Sequence, residues 1–207
     1  MTKQNIREPR QKRAIEKKQS IIKASYKLFS DKGYYQTNTV EIAQEAGVST
    51  GIVYSYFQDK KDILIEVVKF YITSLLEQFH PLLSTPIKPT ALAATIEQFV
   101  DISIVSHTMN VEAHNEFLAL TLLEQDIRTL FNIFEVDLLS KLYDQLSAAG
   151  VSKTNLLEKV RISYFIVEQV CHDYIQRRPS RDEFKITKAL AVNTIVYLLE
   201  EDHEKAK

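Results

Sequence analysis

Apolar residues along this chain recur at three- and four-residue intervals with no sustained period-two alternation, and that spacing predicts helices throughout. A first helix is expected from about Gln11 to Asp31. Its inner stripe is Ile21, Ala24 and Leu28, flanked by Ile22 and Phe29, and Gly33 is placed to end it. Two short helices follow, at about Thr39–Ala46 and Thr50–Phe57. Asn38 is a suitable N-cap for the first, and Glu41 three residues later completes a capping box. Gly47 breaks that helix and Ser49 caps the next. A long fourth helix, capped by Asp59, should run to about Leu83 with Leu64, Val67, Val68, Tyr71 and Leu75 on one stripe. Pro81, Pro86 and Pro89 then mark a connection. Later helices are expected over 90–107, 110–123, 126–149, 154–178 and 181–202. Ala148-Ala149-Gly150 supplies one stop, and a second capping box, Ser180 to Glu183, supplies a start after Arg178-Pro179.

Composition agrees with an all-α chain, since 207 residues carry only four glycines and five prolines. With 45% hydrophobic residues the chain can bury a substantial core. Its single cysteine, Cys171, rules out an internal disulfide framework and a cysteine-based zinc finger. No apolar run approaches the roughly 18 residues of a membrane span. The N-terminal stretch is basic and polar with no apolar segment after it, unlike a secretory signal. A cytoplasmic protein with no membrane partner is expected.

The net charge of −1 conceals a polarity. Residues 1–62 carry twelve Lys/Arg and seven Asp/Glu, a net of +5, whereas 63–207 carry fourteen and twenty, a net of −6. A basic N-terminal domain, 1–62, on an acidic body, 63–207, points to an anionic partner for the first part only. Arg10, Lys12, Arg13, Lys17 and Lys18 are candidates either for an arm along a nucleic-acid backbone or minor groove or for a charged tail without contacts.

The chemistry of an anionic partner is clearest between residues 38 and 60. Two short helices about a glycine turn can present the second to a DNA major groove. Ile42, Ala43, Ala46 and Val48 pack the first against the second, and Val53 and Phe57, four apart, face inward. Thr50, Gly51, Tyr54 and Ser55 are left outward. Thr50 can bond a base edge or phosphate, Gly51 admits close backbone approach, and Tyr54 and Tyr56 can donate to phosphates. Lys60 adds a cation at the start of the fourth helix. Asn38, Thr39 and Ser49 complete the candidate DNA-binding set; Ser49 has capping as its alternative role.

This stretch resembles the tetracycline-repressor (TetR) family of transcriptional regulators. The shared elements are Ile42-Ala43-x-x-Ala46-Gly47-Val48-Ser49, then Gly51-x-Val53-Tyr54-x-Tyr56-Phe57, then Lys60-x-x-Ile63-Leu64. Ala24, Leu28-Phe29 and Lys32-Gly33-Tyr34 fit upstream, so the likeness covers about 45 residues. Asn38 stands where relatives carry threonine, and Ile52 where they carry Thr or Ser. The resemblance implies an N-terminal three-helix helix-turn-helix domain and a larger helical ligand-binding and dimerisation domain. It also implies a palindromic double-stranded operator, a homodimer formed through helices near 154–178 and 181–202, and release by a small, largely apolar effector, as in a repressor.

In the body, polar and aromatic residues set within apolar helices are the candidates for contacting an effector: His107, His114, Asn115, Phe117, Tyr164, Glu168, Cys171 and His172. His107 and His114, seven apart, would share a face if one helix ran through both. Two imidazoles without a placed carboxylate or thiolate make a weak case for a metal, and neither metal nor cofactor is expected. No phosphate loop, dinucleotide fingerprint or HExxH motif is present, which argues against an enzyme. A DNA-coating protein without an effector is the remaining alternative.

Overall fold

A computed structural model describes residues 12–200, and among them only helices and turns occur. The helices are α1 (Lys12–Lys32), α2 (Thr39–Glu45), α3 (Thr50–Tyr56), α4 (Lys60–Leu83), α5 (Leu92–Thr108), α6 (Val111–Leu123), α7 (Gln125–Ala148), α8 (Leu156–Arg177) and α9 (Arg181–Glu200). A 3-10 turn, Pro89–Ala91, precedes α5. Every expected helix is present. Arg10, the proposed Gln11 start and residues 201–202 lie outside the described residues.

The chain forms two compact units. One contains the described residues to Ser74 together with Glu112–Phe131, and the other contains Leu75–Val111 and the described residues from Asn132. Compactness thus draws its line later than residue 62 and gives the N-terminal unit a second, distant stretch of chain.

In the first unit, Ile21, Ile22, Ala24 and Phe29 are buried on α1 as the apolar spacing requires, and Leu28 is half-buried. Gly33 ends the helix at φ +88°, its N–H donating to the Phe29 carbonyl at 3.0 Å. The α6 stretch then anchors the chain that follows. The Tyr34 N–H donates to Glu116 Oε1 at 2.6 Å, and the Tyr35 hydroxyl donates to Glu124 Oε1 at 2.8 Å. Lys61 pairs with Asp126 at 2.8 Å and Glu124 at 3.4 Å. Phe117 is wholly buried, its ring centroid 5.1 Å from that of Tyr71 and 6.0 Å from that of Tyr26. Such aromatic neighbours add about 0.5–1.5 kcal/mol each beyond the area they bury.

In the second unit α5, α8 and α9 pack on one another. Phe79, Phe99, Val100, Leu138, Val160 and Ile195 are among the core side chains. Lys188 on α9 reaches Asp101 at 2.6 Å and Glu97 at 3.0 Å on α5. Pro81, expected to lie in a connection, sits inside the last turn of α4. Leu82 is buried beyond it, and two hydroxyls add bonds to carbonyls of the last turn. Ser84 Oγ donates to the His80 carbonyl at 2.7 Å, and Thr85 Oγ1 to the Pro81 carbonyl at 2.8 Å. Gly150, at φ +86°, ends α7, with Val151 N–H returning to the Leu146 carbonyl. The Ser180–Glu183 capping box is formed: Ser180 N–H donates to Glu183 Oε2 at 2.9 Å, and Glu183 N–H to Ser180 Oγ at 3.3 Å. None of the described helices is long and apolar enough to cross a membrane.

Candidate nucleic-acid interface

The α2–turn–α3 segment is built as its residue types dictate. Asn38 Oδ1 accepts from the N–H groups of Val40 and Glu41, both at 3.0 Å, while the Asn38 N–H donates to Glu41 Oε2 at 2.9 Å. This closed capping box contributes about 1 kcal/mol to a helix only two turns long. Lys32 bonds the same Glu41 at 2.5 Å and, with the Asn38 N–H, holds its carboxyl below the usual carboxylate range. Gly47 takes the left-handed turn at φ +66°. Ser49 caps α3, its hydroxyl accepting from the Ile52 N–H at 3.3 Å. Ile42 and Ala43 on α2 and Val53 and Phe57 at α3 are all buried, which fixes the face that α3 turns inward.

The opposite face of α3 is open. Tyr54 is 45% exposed, Gly51 and Ser55 are exposed, and Thr50 and Tyr56 are half-buried. The Tyr54 hydroxyl lies 2.9 Å from Thr39 Oγ1, so the two candidate residues form one hydroxyl pair across α2 and α3. Ser55 Oγ donates to the Ile52 carbonyl at 2.7 Å. A Cβ placed on Gly51 would meet only Ser49 Oγ, at 3.9 Å. The chain's own packing therefore does not require glycine there; a surface approached closely by another molecule would.

Lys60 has a job that the sequence did not reveal. Its Nζ donates to the carbonyls of Thr37 at 2.8 Å and Tyr34 at 2.9 Å, and lies 4.4 Å from the centre of the Tyr34 ring. Two of its three protons are thus spent fastening the α1–α2 connection to the start of α4, leaving one for a phosphate. Burial lowers its pKa. The carbonyls of Tyr34 and Thr37, in the α1–α2 connection, were the missed signal. Of the basic candidates, Lys12, Arg13, Lys17 and Lys18 belong to α1 and not to an extended arm. Lys18 pairs with Glu66 at 2.9 Å and sits 5.6 Å from the Phe57 ring centre.

The effector candidates separate by unit. His114, Asn115 and Phe117 lie on α6 in the first unit. There Phe117 is a core ring, Asn115 is exposed, and His114 Nδ1 is 3.1 Å from the Tyr71 hydroxyl. The helix breaks between Thr108 and Val111, so His107 and His114 do not share a continuous helix face. In the second unit, His107, Tyr164, Glu168, Cys171 and His172 occur together on α5 and α8. His107 is 8% exposed, with Nδ1 2.7 Å from the Ser103 carbonyl and Nε2 3.3 Å from Glu168 Oε2. The His172 ring stands edge-on to it at 5.5 Å. Burial penalises the charged form of His107, but hydrogen bonding to Cys171 and Glu168 outweighs it and pushes the pKa up to about 10. Burial also pushes the Cys171 thiol up, with the neighbouring His107 acting against it. Burial lowers His172.

Beside this polar cluster the second unit holds a partly open cavity of about 60 Å³. Leu82 and Leu83 of α4, Phe99 of α5, Leu142 of α7, Val167 of α8 and Ile195 of α9 are among its walls, with Tyr164 the one effector candidate that lines it. Apart from Thr95, Gln145 and Ser163, the other lining residues are ordinary core types, which no sequence pattern distinguishes from filled core.

Residues 21–67 match the family described as bacterial regulatory proteins, tetR family. The chain is 54% identical over 54 residues to the HTH-type transcriptional regulator HbdR of Aromatoleum sp. (strain CIB), which is 26% of this chain and 24% of that protein. It is 37% identical over 60 residues to the fatty acid metabolism regulator protein of Bacillus subtilis (strain 168), 29% of this chain and 31% of that one. These matches thus span well under half of either relative. Its fold is similar to that of a TetR transcription regulator from Haloarcula marismortui ATCC 43049, with a TM-score of 0.69 at 16% identity over 90% of this chain and 97% of that one. It is also similar to that of the fatty acid degradation regulator FadR from Bacillus halodurans, with a TM-score of 0.64 at 18% identity over 92% and 97%.

Proposed function

We propose, from the match of residues 21–67 to the tetR family of bacterial regulatory proteins, that the chain is a transcriptional regulator, acting as a repressor, that binds a palindromic operator as a homodimer and is released by a small, largely apolar effector. The observation that carries the proposal is the two-sidedness of α3: Val53 and Phe57 are buried beneath it while Tyr54, Ser55 and the open space at Gly51 face out. On this reading Thr50 and Gly51 meet base edges at the N-terminus of α3, and Thr39, Tyr54 and Tyr56 hold phosphates. Asn38 and Ser49 cap, and Lys60 gives its remaining proton to the backbone.

Dimerisation is supported by α9, where Ile186, Leu190 and Tyr197 are 62, 62 and 63% exposed. At 100° per residue they fall on one narrow stripe. Leu157, Ile162 and Phe165 leave α8 apolar on its outer side as well. Two such helices meeting their symmetry mates make a four-helix bundle, and a two-fold dimer matches a two-fold operator. Effector control is supported by the cavity in the second unit. The effector must bind the DNA-incompetent conformation better than the competent one, or it shifts nothing.

Selection of bound duplexes from a random library tests the proposal. A palindromic consensus is expected. Failure to retain any duplex at low salt overturns it.

A further inference from the structure

Read in order, the imidazoles of the body have no carboxylate placed beside them, but the packing of α5 on α8 supplies one. His107 on α5 is 8% exposed, and its Nδ1 lies 2.7 Å from the Ser103 carbonyl. A carbonyl can only accept, so Nδ1 carries a proton and Nε2 is the nitrogen turned toward α8. There Glu168 Oε2 stands 3.3 Å away. His172 follows Glu168 by four residues on the same helix. At that spacing two side chains meet over one helix face, and the two histidines of an HExxH motif use it to hold one ion. The His172 ring is edge-on to that of His107 with centroids 5.5 Å apart, and a ring nitrogen of each lies within 4.8 Å of the other.

We infer that His107, Glu168 and His172 form a site for a divalent transition ion of the zinc class, with water in the fourth position. Zinc binds imidazole nitrogen and carboxylate oxygen at about 2.0–2.1 Å in a tetrahedron, which sets neighbouring ligand atoms about 3.3–3.4 Å apart. The Nε2–Oε2 separation of 3.3 Å matches that edge. An octahedral ion such as magnesium would need oxygen donors, and neighbouring ligands about 2.9 Å apart. The outer bonds that orient ligands are also in place. The Ser103 carbonyl fixes the His107 ring, and the Tyr164 hydroxyl, one turn before Glu168 on α8, holds the carboxylate. The Glu168 side chain is 28% exposed and His172 is half-buried, so an ion can enter from solvent. The ion takes the place of the proton between Nε2 and Glu168, and the His172 nitrogen closes on that of His107 by no more than about 1.5 Å to join it. Cys171 stays outside the set, being wholly buried and turned about 100° around α8 from His172. The site stands on α5 and α8 alone and is independent of whether the chain binds DNA.

Cobalt(II) titration of the untagged full chain, freed of metal by chelation, tests this. One equivalent should give the visible bands of tetrahedral cobalt, bleached by zinc, with no thiolate-to-cobalt charge-transfer band. Zinc at 100 times its dissociation constant should raise Tm by about 5–10 °C, and magnesium at the same concentration should not. His172→Gln and Glu168→Gln should each weaken cobalt binding by more than about 100-fold, beyond the roughly 10- to 100-fold that loss of an outer bond costs, and Tyr164→Phe should fall within that lower range. Should a variant not fold, nitrogen NMR of the unaltered chain decides: zinc should shift the ring resonances of both His107 and His172 at one equivalent. Unshifted rings, affinity that survives both ligand substitutions, or an equal response to magnesium overturns the site. A thiolate band overturns the ligand set, and several weakly held ions in place of one show surface histidines and overturn it as well.

Discussion

Raising the pH from 7 to 8.5 should weaken this protein measurably, and the loss should trace to His107. Both of its ring nitrogens face acceptors: the Ser103 carbonyl at 2.7 Å and Glu168 Oε2 at 3.3 Å. Only the imidazolium donates to both, and the ring is 8% exposed. Against the cost of burial, hydrogen bonding to Cys171 and Glu168 pushes its pKa from the ordinary 6.5 up to about 10 in the folded chain. A raised folded-state pKa contributes its full stabilisation below about 6.5 and loses it as the pH climbs toward 10. Across that interval the slope approaches about 1.4 kcal/mol per pH unit, so 1.5 units remove about 2 kcal/mol. For a chain of this size that lowers Tm by about 4–8 °C. The neighbouring groups leave this window clean. Burial lowers His172, which is therefore neutral in both states above pH 7. Burial raises Cys171 and Tyr164 from ordinary values of 9.0 and 10.0, so their contributions come at higher pH. Calorimetry in matched buffers should give this decline for the native sequence and a nearly flat profile for His107→Gln. A parallel decline in both would refute the reasoning, as would a flat profile in the native sequence.

Gly51→Ala should leave Tm unchanged or raise it by up to about 1 kcal/mol equivalent, since the added methyl enters open space on a helix, yet weaken operator binding in a titration. Gly47→Ala, at φ +66°, should instead cost about 1 kcal/mol by denaturant unfolding. Lys60→Met strands the Thr37 carbonyl, leaves the Tyr34 carbonyl only its bond from the Thr37 N–H, and should cost about 1–3 kcal/mol; a simultaneous drop of about one in the salt slope of DNA binding would show that its third proton reaches a phosphate. Leu190→Glu should convert a dimer to monomer in sedimentation, and an unchanged sedimentation coefficient would remove the α9 stripe from the interface.

The helices were legible because the signals that set them are local. Asn38 with Glu41 and Ser180 with Glu183 announce their own capping boxes, and Val53 with Phe57 fix the inner face of α3 by spacing alone. Pro81 misled because its consequence depends on the Ser84 and Thr85 hydroxyls that follow, together with the burial of Leu82. Lys60 read as a plain surface cation because the carbonyls it serves lie 23 and 26 positions away. The effector candidates were chosen for polarity, and that criterion selected a buried ion pair, His107–Glu168, and a core ring, Phe117. The cavity is defined by the absence of polarity, and a Leu facing empty space looks in sequence like a Leu facing another Leu.

The anchoring of Tyr34, Tyr35 and Lys61 by Glu116, Glu124 and Asp126 has a consequence for how the molecule is made. The N-terminal unit is discontinuous in sequence: the 37 residues from Leu75 to Val111 belong elsewhere and must leave the ribosome before its remaining helix is available. At roughly 5–20 residues per second, α1 to α3 wait about 4–14 seconds from the completion of Tyr56 to that of Asp126 for their support. During biosynthesis the helix-turn-helix is therefore an assembly still lacking a member, and a fragment cut at residue 62 or 74 would carry the recognition helix on a scaffold without the Phe117 ring beneath it.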